Sequence, residues 1–187
     1  MNTSKKENKI LMMCLCSLFT ALIAVGAFLK IPIPFVPITL QGLFTILAAL
    51  LLGAKWGTLS VVLYVAIGLA GVPIFTQGGG ISYIFIPTFG YLLGYILGTF
   101  INAKIAHKTD NPSYLRIFAA NFVGVLAVYA VGVLYFYMAS ELWGNSTTMK
   151  ILFLNCFLFT LPGDILKCLV GTILGKRLIP LTAKYRC

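Results

Sequence analysis

The chain divides almost end to end into apolar stretches of roughly the 20 residues that a helix needs to cross the hydrocarbon of a bilayer, and this feature decides its solvent. Of 187 residues, 60% are hydrophobic and only 10% charged, with a mean hydropathy of +0.99. That is far more apolar surface than a soluble core of this length could bury. The expected fold class is an all-α integral membrane protein: one membrane domain over residues 1–187 with six transmembrane helices, at about 8–30, 39–53, 58–71, 88–107, 115–140 and 151–179.

The junctions follow from local chemistry. In "KIPIPFVPITLQG" the prolines Pro32, Pro34 and Pro37 remove backbone donors and hold the chain extended. Thr39 is then placed to cap the second helix. "GAKWG" reads as a tight turn with Lys55 beside an interfacial Trp56. Between helices 3 and 4, "GVPIFTQGGGISYIFIPTFGY" is too broken for a helix and too apolar for a solvated loop. Gly78 to Gly80 followed by "ISYIFI" predict a short extended or hairpin-like element that covers a cavity or sits at the interface.

The N-terminal "MNTSKKENKILMMCLC" has the basic start of a signal peptide but no Ala-x-Ala-like cleavage site, so it reads as a retained first helix. Cys14, Cys16, Cys156, Cys168 and Cys187 are odd in number and lie mostly in apolar runs, which argues against a disulfide framework. With six spans, the basic residues near both termini and at Lys55, Lys104, Lys108, Arg116, Lys176 and Arg177 fall on one side, leaving Lys30 and Lys150 on the other. Both termini are therefore expected in the cytoplasm. The net charge of +10 reflects that bias and attraction to anionic lipid, and gives no reason to invoke nucleic acid.

One pair of charges interrupts the apolar pattern. In "FTLPGDILKCLV", Asp164 and Lys167 lie three residues apart just after Pro162 and Gly163. A lone charge at a helix centre costs on the order of 3 kcal/mol on insertion scales, whereas a pair at this spacing can neutralise itself on one helix face. The pair is either an internal salt bridge or the lining of a polar pocket, and the Pro-Gly interruption favours a cavity beside it. Gln41, Asn102, Asn121 and Asn155 also lie within apolar spans, each open to an interhelical hydrogen bond or to ligand contact. Tyr83, Phe85, Phe89, Tyr91, Tyr95, Tyr129 and Tyr135 offer material for pocket walls. Enzymatic chemistry has little to build on. His107 is the one histidine, and "GTILGKRL" is a residue short of a phosphate loop, with Arg177 where Ser or Thr should hold magnesium.

Taken together, "IPFVPITLQG", "GVPIFTQGGG…IPTFGYLLGY" and "LPGDILKCLVG" closely resemble BioY, the biotin-binding S-component of energy-coupling factor (ECF) transporters, in order and across essentially the whole chain. The departure is at "IPTFGY", where Ile86 and Phe89 stand in place of small residues. The resemblance implies a six-helix bundle in the bacterial cytoplasmic membrane that captures biotin on its outer side, the loop after helix 3 acting as a lid. It implies no cofactor, biotin being the transported ligand, and partners in a coupling transmembrane subunit and two separate ATPase subunits.

Carried onto this sequence, the site takes in Asp164 and Lys167, with Gln41, Asn121, Tyr91, Ser82 and Phe89. Asp164 would accept from the ureido N–H groups of biotin, and Lys167 would donate to its carbonyl or hold Asp164 in place. Docking of the coupling subunit would use small residues of helix 1, either Ser17 and Ala21 or Thr20 and Ala24, whose spacing permits close helix approach; internal packing of helix 1 is the competing use. The alternatives are an S-component for another vitamin, a stand-alone proton-coupled carrier using Asp164, or a membrane enzyme.

Overall fold

The computed structural model describes residues 2–31, 37–109, 111–142 and 160–185, with side chains from residue 7 onward. Within these residues there are five α-helices: α1 (Asn2–Phe28), α2 (Gln41–Leu69), α3 (Phe89–Ala106), α4 (Tyr114–Leu142) and α5 (Leu161–Ala183). Two short strands, β1 (Lys30–Ile31) and β2 (Ile38–Thr39), pair antiparallel between α1 and α2, Lys30 opposite Thr39. Four helical segments, Glu7–Phe28, Gln41–Leu69, Phe89–Ala106 and Tyr114–Leu142, are long and apolar enough to cross a membrane.

Five helices replace the six expected because residues 41–69 form one element where two were expected. That element is not straight. Gly53 adopts φ 77°, ψ −175°, a conformation that glycine reaches without a Cβ penalty. A Cβ on Gly57 would lie 2.6 Å from the carbonyl oxygen of Ala48, a closeness impossible in a straight helix rising 1.5 Å per residue. The contacts of α1 give the same result. Gly26 abuts Gln41 in the first arm, while Thr20 donates to the Ser60 carbonyl (3.0 Å) and Cys16 to that of Trp56 (3.6 Å) in the second. The chain therefore doubles back at Gly53, and α1 packs against both arms.

Thr39 is a second correction. No side chain caps α2, whose N-cap is Leu40; Thr39 is held in β2 and offers its carbonyl elsewhere. Of the proline-rich bend, residues 32–36 lie outside the described residues.

The segment after α2 also differs from expectation. "ISYIF" forms a 3-10 helix (Ile81–Phe85), and the hairpin-like feature is a tight turn before it, with Phe75 and Gly78 exchanging backbone hydrogen bonds. Gly80, at φ 98°, lets its amide reach the carbonyl of Gly68 at 2.7 Å and directs the chain into the 3-10 turn. The segment is tied to its surroundings by Tyr64 donating to the Ile74 carbonyl (3.1 Å), Tyr135 to that of Ile84 and Lys30 to that of Thr76.

α5 begins at Leu161, with Pro162 in its first turn where a missing N–H costs nothing. The Pro-Gly pair thus lies in the first turn of a helix. Residues 151–159 of the expected helix, Asn155 among them, lie outside the described residues. Asp164 falls in the first turn of α5, where the helix dipole favours a carboxylate by about 0.3–1 kcal/mol.

Candidate functional site

The first arm of α2, with α3, α4 and α5, lines a cavity that opens at its mouth. Its wall is largely apolar, from Ile38, Ile46, Val125 and Val128 and the rings of Tyr91, Tyr95 and Tyr129. Tyr91 and Tyr129 meet edge to face, their centroids 6.3 Å apart.

The acid–base pair lies in this wall. The ammonium of Lys167, a buried residue, forms an ion pair with Asp164 Oδ1 and donates to the carbonyl of Thr39 at 3.1 Å. Tyr129 Oη donates to Asp164 Oδ2. Its proton being committed there, the 2.6 Å contact between Tyr129 and Thr160 must have the threonine as donor. Two of the three ammonium hydrogens are thus assigned, and each carboxylate oxygen keeps further accepting capacity. A salt bridge and a ligand site are not exclusive here: the pair neutralises itself and still presents one donor and acceptor oxygens to the cavity.

The inner end of the cavity is a network of amides. Asn121 donates to the Cys168 carbonyl (3.2 Å) and to Thr172 Oγ1 (3.1 Å), and accepts from Asn102 Nδ2 (3.0 Å). A carbonyl can only accept, so the orientation of Asn121 is determined, and with it that of Asn102. Asn102 Oδ1 and Thr99 Oγ1 are buried without a hydrogen-bond partner among the described residues, and both residues line the cavity.

The expected site residues thus separate. Asp164, Lys167, Asn121 and Tyr91 line the cavity together. Asn121, however, uses both amide hydrogens to tie α4 to α5, and the open amide oxygen belongs to Asn102. Gln41 is buried one residue before Gly42 of the wall, its Nε2 without a partner among the described residues. Ser82 and Phe89 do not line the cavity. The 3-10 turn leaves Ser82 exposed, and Phe89 packs against Tyr135 (5.8 Å between centroids) in a core cluster with Ile23, Tyr64 and Phe75.

Thr39, Thr45, Thr99, Tyr95 and Tyr129 line the cavity without having been selected as site residues. The tyrosines carried a sequence signal as wall candidates. Thr45 and Thr99 carried none, since a hydroxyl in an apolar helix commonly bonds its own backbone, as Thr45 does to the Gly42 carbonyl at 2.9 Å.

The BioY family model matches residues 1–184. A probable biotin transporter BioY of Lysinibacillus sphaericus is 40% identical over 174 residues, covering 92% of this chain and 89% of that protein. The biotin transporter BioY of Thermotoga maritima is 44% identical over 117 residues, 62% of this chain and 68% of its own. The crystal structure of the S-component for biotin from an ECF-type ABC transporter superposes with a TM-score of 0.79 at 28% identity, covering 94% of this chain and 97% of that one. With a family model matching nearly its whole length and relatives of this identity and coverage, the chain belongs to the BioY family.

Proposed function

We infer that this chain binds biotin in the described cavity and serves its uptake as the S-component of an ECF-type transporter; the family is one of transporter subunits, not enzymes. The observation that carries the reading is the Asp164–Lys167 pair, held by Tyr129 and Thr39 at an otherwise apolar cavity. A ureido ring has two N–H donors and one carbonyl acceptor, which match carboxylate oxygens and the remaining ammonium hydrogen. Asp164 is assigned to the ureido N–H groups; Lys167 holds Asp164 and donates to the ureido carbonyl. The thiophane ring and valeryl chain suit Tyr91, Tyr95 and Val128. The amide oxygen of Asn102 and the hydroxyl of Thr99 are further polar contacts.

Titration of the purified chain in detergent by calorimetry tests this directly. Saturable one-to-one binding of biotin is expected, and no heat of binding would overturn the reading. Energising is assigned to a coupling membrane subunit and two ATPase subunits, so proteoliposomes holding this chain alone are expected not to accumulate biotin against a gradient. Uphill uptake there would instead support a stand-alone carrier.

The arms of α2 are read as separate crossings. The described basic residues Lys9, Lys55, Lys104, Lys108, Lys176 and Lys184 gather at the end of the bundle where α1 starts and α5 finishes, which supports cytoplasmic termini. The glycine-rich segment is at the other end, as the cavity is, which supports its reading as a lid.

On α1, Ser17 and Ala21 are exposed, whereas Thr20 is buried and Ala24 packs into a core cluster beside Tyr64. The outward pair is therefore the docking candidate. Ala21→Trp is expected to abolish energised uptake with biotin affinity within about twofold of wild type, bulk there obstructing only an approaching helix. Ala24→Trp is expected to lower the melting temperature and binding together, overpacking a buried site by about 1–3 kcal/mol. Loss of binding in Ala21→Trp would return that face to internal packing.

A further inference from the structure

We propose that the basic crevice at the end of the bundle opposite the ligand cavity is a binding site for the phosphate of an anionic phospholipid headgroup. Four separate parts of the chain supply its charge: Lys9 of α1, Lys55 just past the Gly53 bend, Lys104 near the end of α3 and Lys184 just after α5. The space between them is about 1050 Å³, ample for a headgroup. Among the described residues no carboxylate lines it, and none of the four lysines has an ion-pair partner. Glu7, the nearest acid along α1, is exposed and not part of the wall.

Two general causes account for part of this charge. The C-terminal ends of α3 and α5 favour Lys104 and Lys184 through the helix dipole, and the positive-inside bias favours lysine at this end of the molecule. The dipole disfavours Lys9 near the N-terminal end of α1, and neither cause explains why all four line one concavity. Like charges so gathered repel, and a bound anion removes the repulsion.

Two further observations select a lipid. Trp56 and Tyr185 line the crevice, with the ammonium groups of Lys55 and Lys184 over their rings at 5.9 and 4.7 Å from the centroids. Such aromatics mark the headgroup level of a membrane. Beside Lys9, Ile10 and Met13 are 52% and 50% exposed, apolar surface that an acyl chain would cover. Basic pockets between transmembrane helices are a recurrent setting for anionic headgroups.

The chain has two tryptophans, so Trp143→Phe leaves Trp56 as the sole reporter within the crevice. Full-length protein in phosphatidylcholine nanodiscs is titrated with brominated phosphatidylglycerol or brominated phosphatidylcholine, and Trp56 quenching is read. Phosphatidylglycerol is expected to quench at mole fractions at least tenfold lower. The triple variant Lys9→Gln, Lys55→Gln, Lys104→Gln is expected to lose the preference, each lysine contributing about fivefold, with an unchanged melting temperature showing that it is folded. Equal quenching by the two lipids, or a preference that survives in the folded triple variant, overturns the proposal. Soluble glycerophosphate that relieves the quenching at lipid-like concentrations reassigns the crevice to a free anion and overturns the lipid. Equal quenching by both lipids, together with loss of copurifying energising subunits in the triple variant, assigns it to a protein partner and does the same. The cavity plays no part in these readouts, so failure here leaves the biotin reading untouched.

Discussion

Asp164→Asn is expected to weaken biotin binding by about 100-fold or more, because removing one partner of a buried, hydrogen-bonded charge pair costs roughly 3–5 kcal/mol. The substitution keeps the volume and shape. It replaces a carboxylate that accepts from Lys167 and Tyr129 with an amide that must point its NH₂ at an ammonium, a hydroxyl or a ureido N–H. Each orientation sets a donor against a donor. The ammonium of Lys167 is left with the Thr39 carbonyl and no counter-charge in a buried position.

Loss of binding alone would not separate a ligand contact from a structural salt bridge, because the uncompensated lysine also destabilises the fold. The neutral double variant Asp164→Asn, Lys167→Met removes that charge. If the pair were only structural, the double variant would recover both melting temperature and affinity. If it meets biotin, stability returns and affinity does not. Melting with and without ligand reads both in one experiment, since biotin at 100 times its Kd should add about 2.7 kcal/mol to a chain that binds it. A double variant stabilised by biotin as strongly as wild type would remove the pair from the site.

Asp164 and Lys167 were legible in the sequence because charge in an apolar run is expensive and therefore conspicuous. What they touch was not. Thr39 drew attention through its hydroxyl as a helix cap, whereas the structure uses its carbonyl, a group every residue carries. Asn102 and Asn121 look alike in sequence, and only the fixed direction of the Asn121 bond to the Cys168 carbonyl shows which amide leaves an atom open. Ser82 and Phe89 were carried over from the resemblance; the 3-10 turn leaves Ser82 exposed, and Phe89, at the start of α3, packs into the core. The bend at Gly53 was anticipated as a turn in "GAKWG", but helical geometry resumes at once after a single residue of positive φ, so 41–69 forms one element. Helix approach was sought on α1 alone. The glycines Gly90, Gly94 and Gly98, four apart on α3, carried the same small-residue signal and were passed over.

That glycine row leads to the second large effect expected: Gly98→Leu should prevent stable folding and abolish biotin binding with it. A Cβ on Gly98 would stand 2.6 Å from the carbonyl oxygen of Gly124, one on Gly124 would stand 2.9 Å from that of Gly98, and one on Gly94 would stand 2.7 Å from that of Val128. These neighbours are backbone, so no rotamer change relieves the clash and α3 must move away from α4. The cavity is then lost, because Tyr91, Thr99 and Asn102 line it from α3, and Asn121, Val128 and Tyr129 from α4. Even Gly98→Ala decides the point by its sign. Alanine is favoured over glycine in a helix by about 0.8–1 kcal/mol, so an open position would gain stability. Overpacking a close crossing costs about 1–3 kcal/mol, so a net loss is expected, deepening from alanine to leucine. Leu97→Trp is the control, adding bulk one residue away on a side that is 44% exposed, and should melt and bind as wild type does. Gly98→Ala melting above wild type in detergent, with affinity intact, would show that α3 and α4 do not cross this closely.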